Sequence, residues 1–370
     1  MRITVGDRAV DFPQGTVWKD VAERFQGEYP REILLAKVGP RLYELHKRCP
    51  ERDMEAEFIT AGDKIGNMTY RRSAILMMLK AFFNVCEGVE GFDVIVEYSI
   101  GGGIYCHLKG DLSVTPELLD TVKETMRGYS ERKLPIMKHS VPTDEAIRFF
   151  RRVGMHSKEH LFRYRMTSRV NLYSLGNFED YFYGFMVMDC GYIRLFDLLP
   201  YNGGFVLLLP TETCPDALPP FRPMEKLFSV QKSSTDWAEK VGIANIGMLN
   251  DMIVQGETDH LILMQEAIFE KTVGDIAAEI SAQDRKAVLI AGPSSSGKTS
   301  FSKRLAIQLQ ALGKKPHPIS VDNYFINRAL APRDENGSYD FESIGSVDLP
   351  TFNRDMAALL VDEERAEADV

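Results

Sequence analysis

The chain lacks any apolar run long enough to cross a bilayer. The longest, residues 74–85, is broken by Lys80 and falls well short of the roughly 20 residues a membrane helix needs. No hydrophobic segment follows the opening Met1-Arg2-Ile3-Thr4-Val5-Gly6-Asp7, so no secretory signal is expected. Cysteine is scarce. Cys49, Cys86, Cys106, Cys190 and Cys214 are odd in number and scattered, and no CxxC occurs. Neither a disulfide framework nor a cysteine zinc site is expected, and a reducing cytoplasm fits. Surplus positive charge is also missing. The 44 Lys and Arg against 53 Asp and Glu leave a net −9, which argues against a chain built mainly to coat nucleic acid or an anionic membrane. With 44% hydrophobic and 26% charged residues, wholesale disorder is excluded. No internal repeat or low-complexity tract is evident.

At about 150 residues per domain, 370 residues predict two or three domains. Residues 1–65 read as short strands around one helix. Strands at 2–5 and 8–12 bracket a Gly6-Asp7 turn, and Thr16 is expected to cap a helix over 17–25. Strands at 33–38 and 42–45 flank Gly39-Pro40, and residues 57–59 end the unit, which suggests a β-grasp domain. Residues 66–225 read as a larger α+β block. It has a helix at 71–83 and strands at 93–100 and 103–108 about Gly101-Gly102-Gly103, which reads as a turn. A helix capped by Thr115 runs to Met126, a strand covers 133–139, and a helix is capped by Thr143. Later strands are expected at 185–188, 193–196 and 205–209. Pro215, Pro219, Pro220 and Pro223 mark a boundary. Residues 226–284 read as a helical connector, with apolar positions at helical spacing from Ile243 to Ile280.

The pattern with the clearest chemistry is Gly292-Pro293-Ser294-Ser295-Ser296-Gly297-Lys298-Thr299, which matches GxxxxGK[ST] at every required position. A polyphosphate must meet many N–H donors at close range. Glycines let the backbone curl, and the loop feeds the positive end of a helix. Lys298 is placed to reach β- and γ-phosphates, Thr299 to hold Mg²⁺, and Ser300 follows in the first turn. A strand is expected at 286–291 and a helix at 298–312, with Ala306, Leu309 and Leu312 on one side and Gly313 ending it. A further strand at 318–321 would carry Asp322 at its carboxyl end. On spacing alone, that carboxylate either serves an attacking hydroxyl or Mg²⁺, or merely caps the next turn.

The phosphate loop followed by Asp322-Asn323-Tyr324-Phe325 resembles the uridine kinase and phosphoribulokinase family. That resemblance implies Asp322 as the base for a nucleoside 5′-hydroxyl, with Tyr324 beside it. Tyr339-Asp340-Phe341-Glu342-Ser343 is similar to the family's next segment, which implies Asp340 on sugar hydroxyls and Tyr339 at the base. Arg333-Asp334-Glu335-Asn336-Gly337 is similar to the intervening loop. Upstream, residues 1–65 resemble the TGS domain of threonyl-tRNA synthetase, and 66–225 the second additional domain that follows it there. The residues that carry this are Tyr70-Arg71-Arg72-Ser73-Ala74, Lys133-Leu134-Pro135-Ile136 and Asp144-Glu145-Ala146-Ile147-Arg148-Phe149-Phe150. Together they resemble the layout of a bacterial nucleoside (uridine) kinase family. The implied fold is multi-domain, α+β and α/β: a β-grasp domain, a synthetase-like α+β domain, and a P-loop parallel-sheet domain over 285–370.

Two departures qualify the resemblance. The synthetase editing domain carries HxxxH where Arg72 and Leu76 stand here, and its Cys-xxx-His becomes Cys190-Gly-Tyr-Ile-Arg194. Guanidinium and Leu supply no lone-pair donors for a hydrolytic centre, so tRNA editing is not expected. After residue 285 only two strands are expected, where a doubly wound kinase core needs about five. The acidic run Asp362-Glu363-Glu364-Arg365-Ala366-Glu367-Ala368-Asp369 reads as helical or frayed. The resemblance therefore implies the front part of a kinase domain, with activity not expected of that part alone.

Two weaker signals remain. His156 and His160 have metal-like i, i+4 spacing, but no third ligand is apparent, so a solvated helix end competes. Arg148, Arg151, Arg152, Lys158, Arg163, Arg165 and Arg169 face only Glu159 between 148 and 169, with Phe149, Phe150, Phe162 and Tyr164 interleaved. That stripe suits RNA, or is a solvated face whose aromatics are core. The leading expectation is ATP- and Mg²⁺-dependent phosphoryl transfer to a nucleoside hydroxyl, of uridine or cytidine. The alternatives are a nucleotide-sensing RNA- or tRNA-binding regulatory module, or a kinase for a non-nucleoside alcohol.

Overall fold

A computed structural model describes residues 1–89, 91–334 and 337–368. Glu335 and Asn336 of the loop named above, and Asp369, lie outside the described residues. The chain is a multi-domain α+β protein with several small sheets, and it divides into two compact units, Met1–Asp251 and Met252–Val370. Among the described residues no helix is long and apolar enough to cross a membrane.

The first unit begins with β1 (Arg2–Val5), β2 (Arg8–Asp11), α1 (Trp18–Phe25), β3 (Ile33–Val38), β4 (Arg41–Glu44), β5 (Met54–Glu55) and β6 (Glu57–Thr60). β1 pairs antiparallel with β2 and parallel with β5, while β3 pairs antiparallel with β4 and β6. Trp18, Val21, Ala22 and Phe25 put the apolar stripe of α1 against Ile3, Ile33 and Phe58. The expected Thr16 cap is corrected. Val17 holds that position, and the Thr16 hydroxyl donates to the Pro13 carbonyl instead (2.8 Å).

α2 (Lys64–Val85), β7 (Asp93–Ile100), β8 (Gly103–Lys109), α3 (Pro116–Glu131), β9 (Ile136–Pro142), α4 (Thr143–Arg152) and α5 (His156–Arg163) follow. Then come β10 (Arg169–Leu175), β11 (Phe178–Tyr181), β12 (Asp197–Tyr201), β13 (Gly204–Leu208), α6 (Glu225–Lys240) and α7 (Ile246–Gln255). The sheets are β12-β13-β8-β7 and β11-β10-β9, both antiparallel. α2 is the central element, burying Ala74, Leu76, Met77, Met78, Ala81 and Phe82 in the largest core. Thr115 does cap α3, its Oγ1 accepting from Leu118 N at 3.2 Å. Thr143 does not cap α4; it is the first helical residue, and its hydroxyl donates to Thr167 O.

The strands expected at 185–188 and 193–196 are not strands. Met186, Val187, Ile193 and Phe196 are buried, but their segments run irregularly. Buried N–H groups need acceptors, and here side chains supply them. Met186 N donates to Glu44 Oε1 (3.1 Å), Val187 N to Ser73 Oγ (3.0 Å) and Leu195 N to the Tyr70 hydroxyl (2.9 Å). In place of those strands stands a hairpin that periodicity did not reveal, β10–β11 around Gly176-Asn177.

The second unit holds α8 (Thr258–Ala282), α9 (Lys298–Ala311) and α10 (Leu349–Ala368), which includes the acidic run through Ala368. Val273 and Ala277 of α8 pack on Leu305 and Leu309 of α9; of the side expected to be apolar, Leu309 is buried and Ala306 half-buried, but Leu312 is exposed. Gly313 (φ +80°) ends α9, with Lys314 N returning to Leu309 O at 3.0 Å. Among the described residues of this unit there is no strand. Residues 286–291 and 318–320 have no ladder partner, and Val321–Tyr324 is a 3₁₀ turn. An apolar run of strand length becomes a strand only beside a hydrogen-bonding neighbour, and Leu289 is instead 91% exposed. The parallel P-loop sheet is thus not formed by the described residues.

Candidate functional site

The phosphate-loop residues form a curled segment ahead of α9. Ser295 (φ +61°) and Gly297 (φ +85°) are both left-handed, which turns consecutive amides toward one side. Gly297 takes the N-cap position with no side-chain cap. Ser296 N donates to Pro293 O (3.3 Å) and Phe301 N to Gly297 O (2.9 Å). The amides of Gly297, Lys298 and Thr299 have no acceptor among the described residues, as the first turn of a helix dictates. A Cβ on Gly292 would sit 2.9 Å from Ser296 Oγ, so a side chain there would make the serine hydroxyl turn aside. Lys298 Nζ folds back to donate to Gly292 O (2.8 Å) and Pro293 O (2.9 Å). Ser294, Ser295, Thr299 and Ser300 are exposed. The donor set fits a phosphate: unengaged amides, a helix N-terminus and one cation.

The other sequence-selected residues of this unit have local duties. Asp322 is exposed in its 3₁₀ turn, not at a strand end. The Tyr324 hydroxyl donates to Asp355 Oδ2 (3.3 Å), and its ring meets Phe352 edge-on at 5.2 Å. Tyr339 stacks on Phe341 (5.7 Å) and carries the Arg333 guanidinium 4.1 Å over its face. Asp340 Oδ1 accepts from Glu342 N and Ser343 N, both at 3.1 Å, which closes a turn. No hydrogen bond or ion pair among the described residues joins Asp322, Tyr324, Tyr339 or Asp340 to residues 292–300.

The basic stripe of the first unit separates into two parts. Phe150 and Phe162 are core, 5.1 Å apart between α4 and α5. Four cations are held by carboxylates. Arg151 and Arg163 converge on buried Glu159 (2.9 and 2.7 Å), Lys158 pairs with buried Asp180, and Arg148 reaches Asp144 at 3.0 Å. Arg152, Arg165 and Arg169 carry no carboxylate. Arg152 lies over the Phe149 ring, Arg165 bonds the Tyr181 hydroxyl, and Arg169 donates to Ser140. His156 leans on Glu159 (3.4 Å) and His160 on Asp251 (3.3 Å). Among the described residues no three His, Cys, Asp or Glu come together to hold a metal.

Hydrogen bonds from Arg163 first, then Arg151, hold the Glu159 carboxyl down to about 2. A depressed carboxylate stabilises the fold above its unfolded value of 4.5, and this contribution is lost as pH falls toward about 2. The stability gap between wild type and Glu159→Gln should therefore be widest at neutral pH and close across that window in urea titrations. A gap of constant size down to the acid end would contradict the assignment.

At the editing positions, Arg72 Nη1 donates to Phe185 O (2.7 Å) and Leu76 is fully buried. Cys190 is buried too, its thiol pushed up to about 12 by desolvation and, secondarily, by Asp189. Arg194 turns away, donating to Gly191 O (3.0 Å) and to Glu32 (2.9 Å). Sequence patterning does not single out Glu44, at the end of β4. It is 2% exposed and accepts from the Tyr173 hydroxyl (2.6 Å) and Met186 N, with Lys138 Nζ 3.3 Å from its other oxygen. An acid at the end of an amphipathic strand reads as a surface residue, and only its distant partners mark it.

No family model matches the chain. Curated relatives do. The chain is 28% identical over 209 residues to the threonine–tRNA ligase of Bacillus velezensis, covering 55% of this chain and 32% of the relative. It is 29% identical to threonine–tRNA ligase 1 of Bacillus subtilis over the same share of each. It is 27% identical over 196 residues to the threonine–tRNA ligase of Methylococcus capsulatus, covering 53% of this chain and 30% of that one. The chain thus spans about a third of the length of the curated relatives it matches. These matches overturn the nucleoside (uridine) kinase and phosphoribulokinase assignment. The similarity lies with tRNA ligases, so a kinase with an alcohol acceptor, and a nucleoside as its substrate, are withdrawn. The catalytic roles assigned to Asp322 and Lys298 in that reaction go with them.

Proposed function

We propose that the chain is an RNA-binding module directed at tRNA, carrying a nucleotide-sensing phosphate loop. The observation that carries this is the similarity to threonine–tRNA ligases over 55% of the chain. In this reading residues 1–65 are a β-grasp domain, supported by the β1–β5 parallel pair and by α1 packed beneath the strands. Residues 66–225 are a synthetase-like additional domain, 226–284 a helical connector, and 285–370 the part that holds the phosphate loop. RNA phosphates meet Arg148, Arg152 and Arg169, all three exposed. Phe150 and Phe162 contribute packing, not base stacking, because both are buried.

ATP with Mg²⁺ is the proposed ligand of residues 292–299. The free amides of Gly297, Lys298 and Thr299 take phosphate oxygens, Lys298 exchanges its two carbonyls for phosphate, and the Thr299 hydroxyl holds the cation.

Two experiments test the two halves. The triple variant Arg148→Glu, Arg152→Glu, Arg169→Glu should weaken tRNA binding by about tenfold or more. It should also flatten the salt dependence by about two to three units, at roughly 0.9 for each phosphate that is no longer neutralised. Binding no tighter to tRNA than to unstructured RNA of equal length, or a variant with unchanged slope, would refute tRNA recognition. Lys298→Ala should lower affinity for a fluorescent ATP analogue about tenfold and leave nucleotide-free tRNA binding alone. Equal ATP affinity in the variant would remove the sensing role.

A further inference from the structure

In the β9–β10–β11 sheet, alternation puts His139 and Val141 of β9 on the same face as Leu172 of β10, with His139 directly opposite Leu172. α4 covers one end of that face through Ala146 and Phe150. The other end is left as a half-open groove of about 330 Å³, at the lower end of the range for small-molecule sites. Its floor is Val141 and Leu172, and Phe149 forms part of the helix wall.

The charges around this floor are of both signs. On the sheet side His139 pairs with Glu179, and on the helix side Arg148 is already held by Asp144 (3.0 Å). That leaves Glu145 and Arg152, both exposed, both lining the groove and neither in an ion pair among the described residues. They are seven residues apart, two turns on one face of α4. At 1.5 Å per residue, one unpaired acid and one unpaired base flank the groove about 10 Å apart. Phe149 lies between them along the same face.

A phosphate chain is a poorer occupant, because unpaired Glu145 would face it. A ligand with one charge of each sign and an apolar body suits all four features. We propose that this groove binds the two ends of a short zwitterionic peptide, with the ammonium at Glu145, the carboxylate at Arg152, and an apolar side chain on Val141, Leu172 and Phe149. An extended chain advances about 3.3–3.6 Å per residue, so a tripeptide spans the two charges, whereas a free amino acid engages only one. The site is separate from the phosphate loop and shares Arg152 with the proposed RNA face, whereas Glu145 belongs to the groove alone.

The test is calorimetric titration of the full chain with Ala-Leu-Ala bearing free termini. Parallel titrations use the same peptide acetylated and amidated, leucine, and adenosine monophosphate. Saturable binding of the free peptide is expected, with the capped form and leucine each at least about tenfold weaker, as each forgoes a charged end. Arg152→Ala and Glu145→Gln should each weaken it by a similar factor. Both positions are exposed, so the fold is retained, and Arg194→Ala, outside the groove and the RNA face, serves as the unaffected control. Glu145→Gln also separates this site from tRNA binding, which removing an acid does not weaken. No binding by wild type, equal binding of the capped peptide, indifference to both variants, or tighter binding of adenosine monophosphate would each overturn the proposal.

Discussion

Replacing Glu44 by Ala is expected to destabilise the first unit by about 3–5 kcal/mol, the usual cost of removing one partner of a buried ion pair. The carboxylate is 2% exposed, so water does not replace what it accepts. Its removal leaves Lys138 without this counter-charge, Met186 N without an acceptor, and the Tyr173 hydroxyl with one acceptor fewer. Tyr173 retains Gly184 O at 2.6 Å, and the Lys138 head is partly exposed, which keeps the loss from being larger. For a unit of this size that loss corresponds to a drop in midpoint of roughly 6–20 °C. Glu44→Gln keeps an acceptor for Tyr173 and Met186 and removes only the ion pair, so it should cost less than half as much. Chemical denaturation of both variants separates the two terms. A Glu44→Ala protein within about 1 kcal/mol of wild type would mean the network is ornamental, because that is the range of an exposed pair.

Gly66→Ala should be at least as damaging, for a steric reason. Gly66 lies in the first turn of α2, where an added Cβ would sit 1.8 Å from Thr60 O and 2.7 Å from Thr60 C. The clash is with backbone, and that backbone is pinned. Thr60 N donates to Asp63 Oδ2 (2.7 Å), the Thr60 hydroxyl to the same oxygen (3.0 Å), and Asp63 N to Thr60 O (3.1 Å). Overpacking of this kind costs about 1–3 kcal/mol where neighbours can move, and more where they cannot. Loss of soluble, protease-resistant protein is the expected result. Gly27→Ala is the control, since its Cβ would meet nothing within 4 Å, and it should stay within roughly 0.5 kcal/mol of wild type. If the two alanines behave alike, the close approach of α2 to β6 is not what holds this seam.

These two residues also show where reading the sequence stops. Gly66 looks like a weak spot ahead of a helix whose apolar spacing starts at residue 71. In fact α2 starts at Lys64, and the glycine is there because β6 passes so close. Glu44 looks like the polar member of an alternating strand. Neither position carries a local signal, because the groups that define Glu44 are far away in the chain and the approach of β6 is set by packing. The phosphate loop is the opposite case. Its curl follows from Gly297 and from the start of α9, both readable from neighbours a few residues away. The strands expected on either side of α9 depend on a sheet partner, and among the described residues none is present.

By itself the sequence determined what short-range chemistry decides: the Gly6-Asp7 and Gly39-Pro40 turns, the Thr115 cap, the Gly313 helix end and the unengaged amides of Gly297, Lys298 and Thr299. Tertiary structure alone decided which apolar runs became strands. Met186, Val187, Ile193 and Phe196 are buried in segments without a ladder, and Glu44, Ser73 and Tyr70 accept the N–H groups of Met186, Val187 and Leu195. It also decided which cations of the 148–169 stripe remain for a ligand, since buried Asp180, outside that stretch, holds Lys158. The physical reason is the same throughout. A turn or cap is closed by atoms a few bonds along the chain, whereas a sheet edge, a buried charge or a free guanidinium is defined by whatever the fold brings against it.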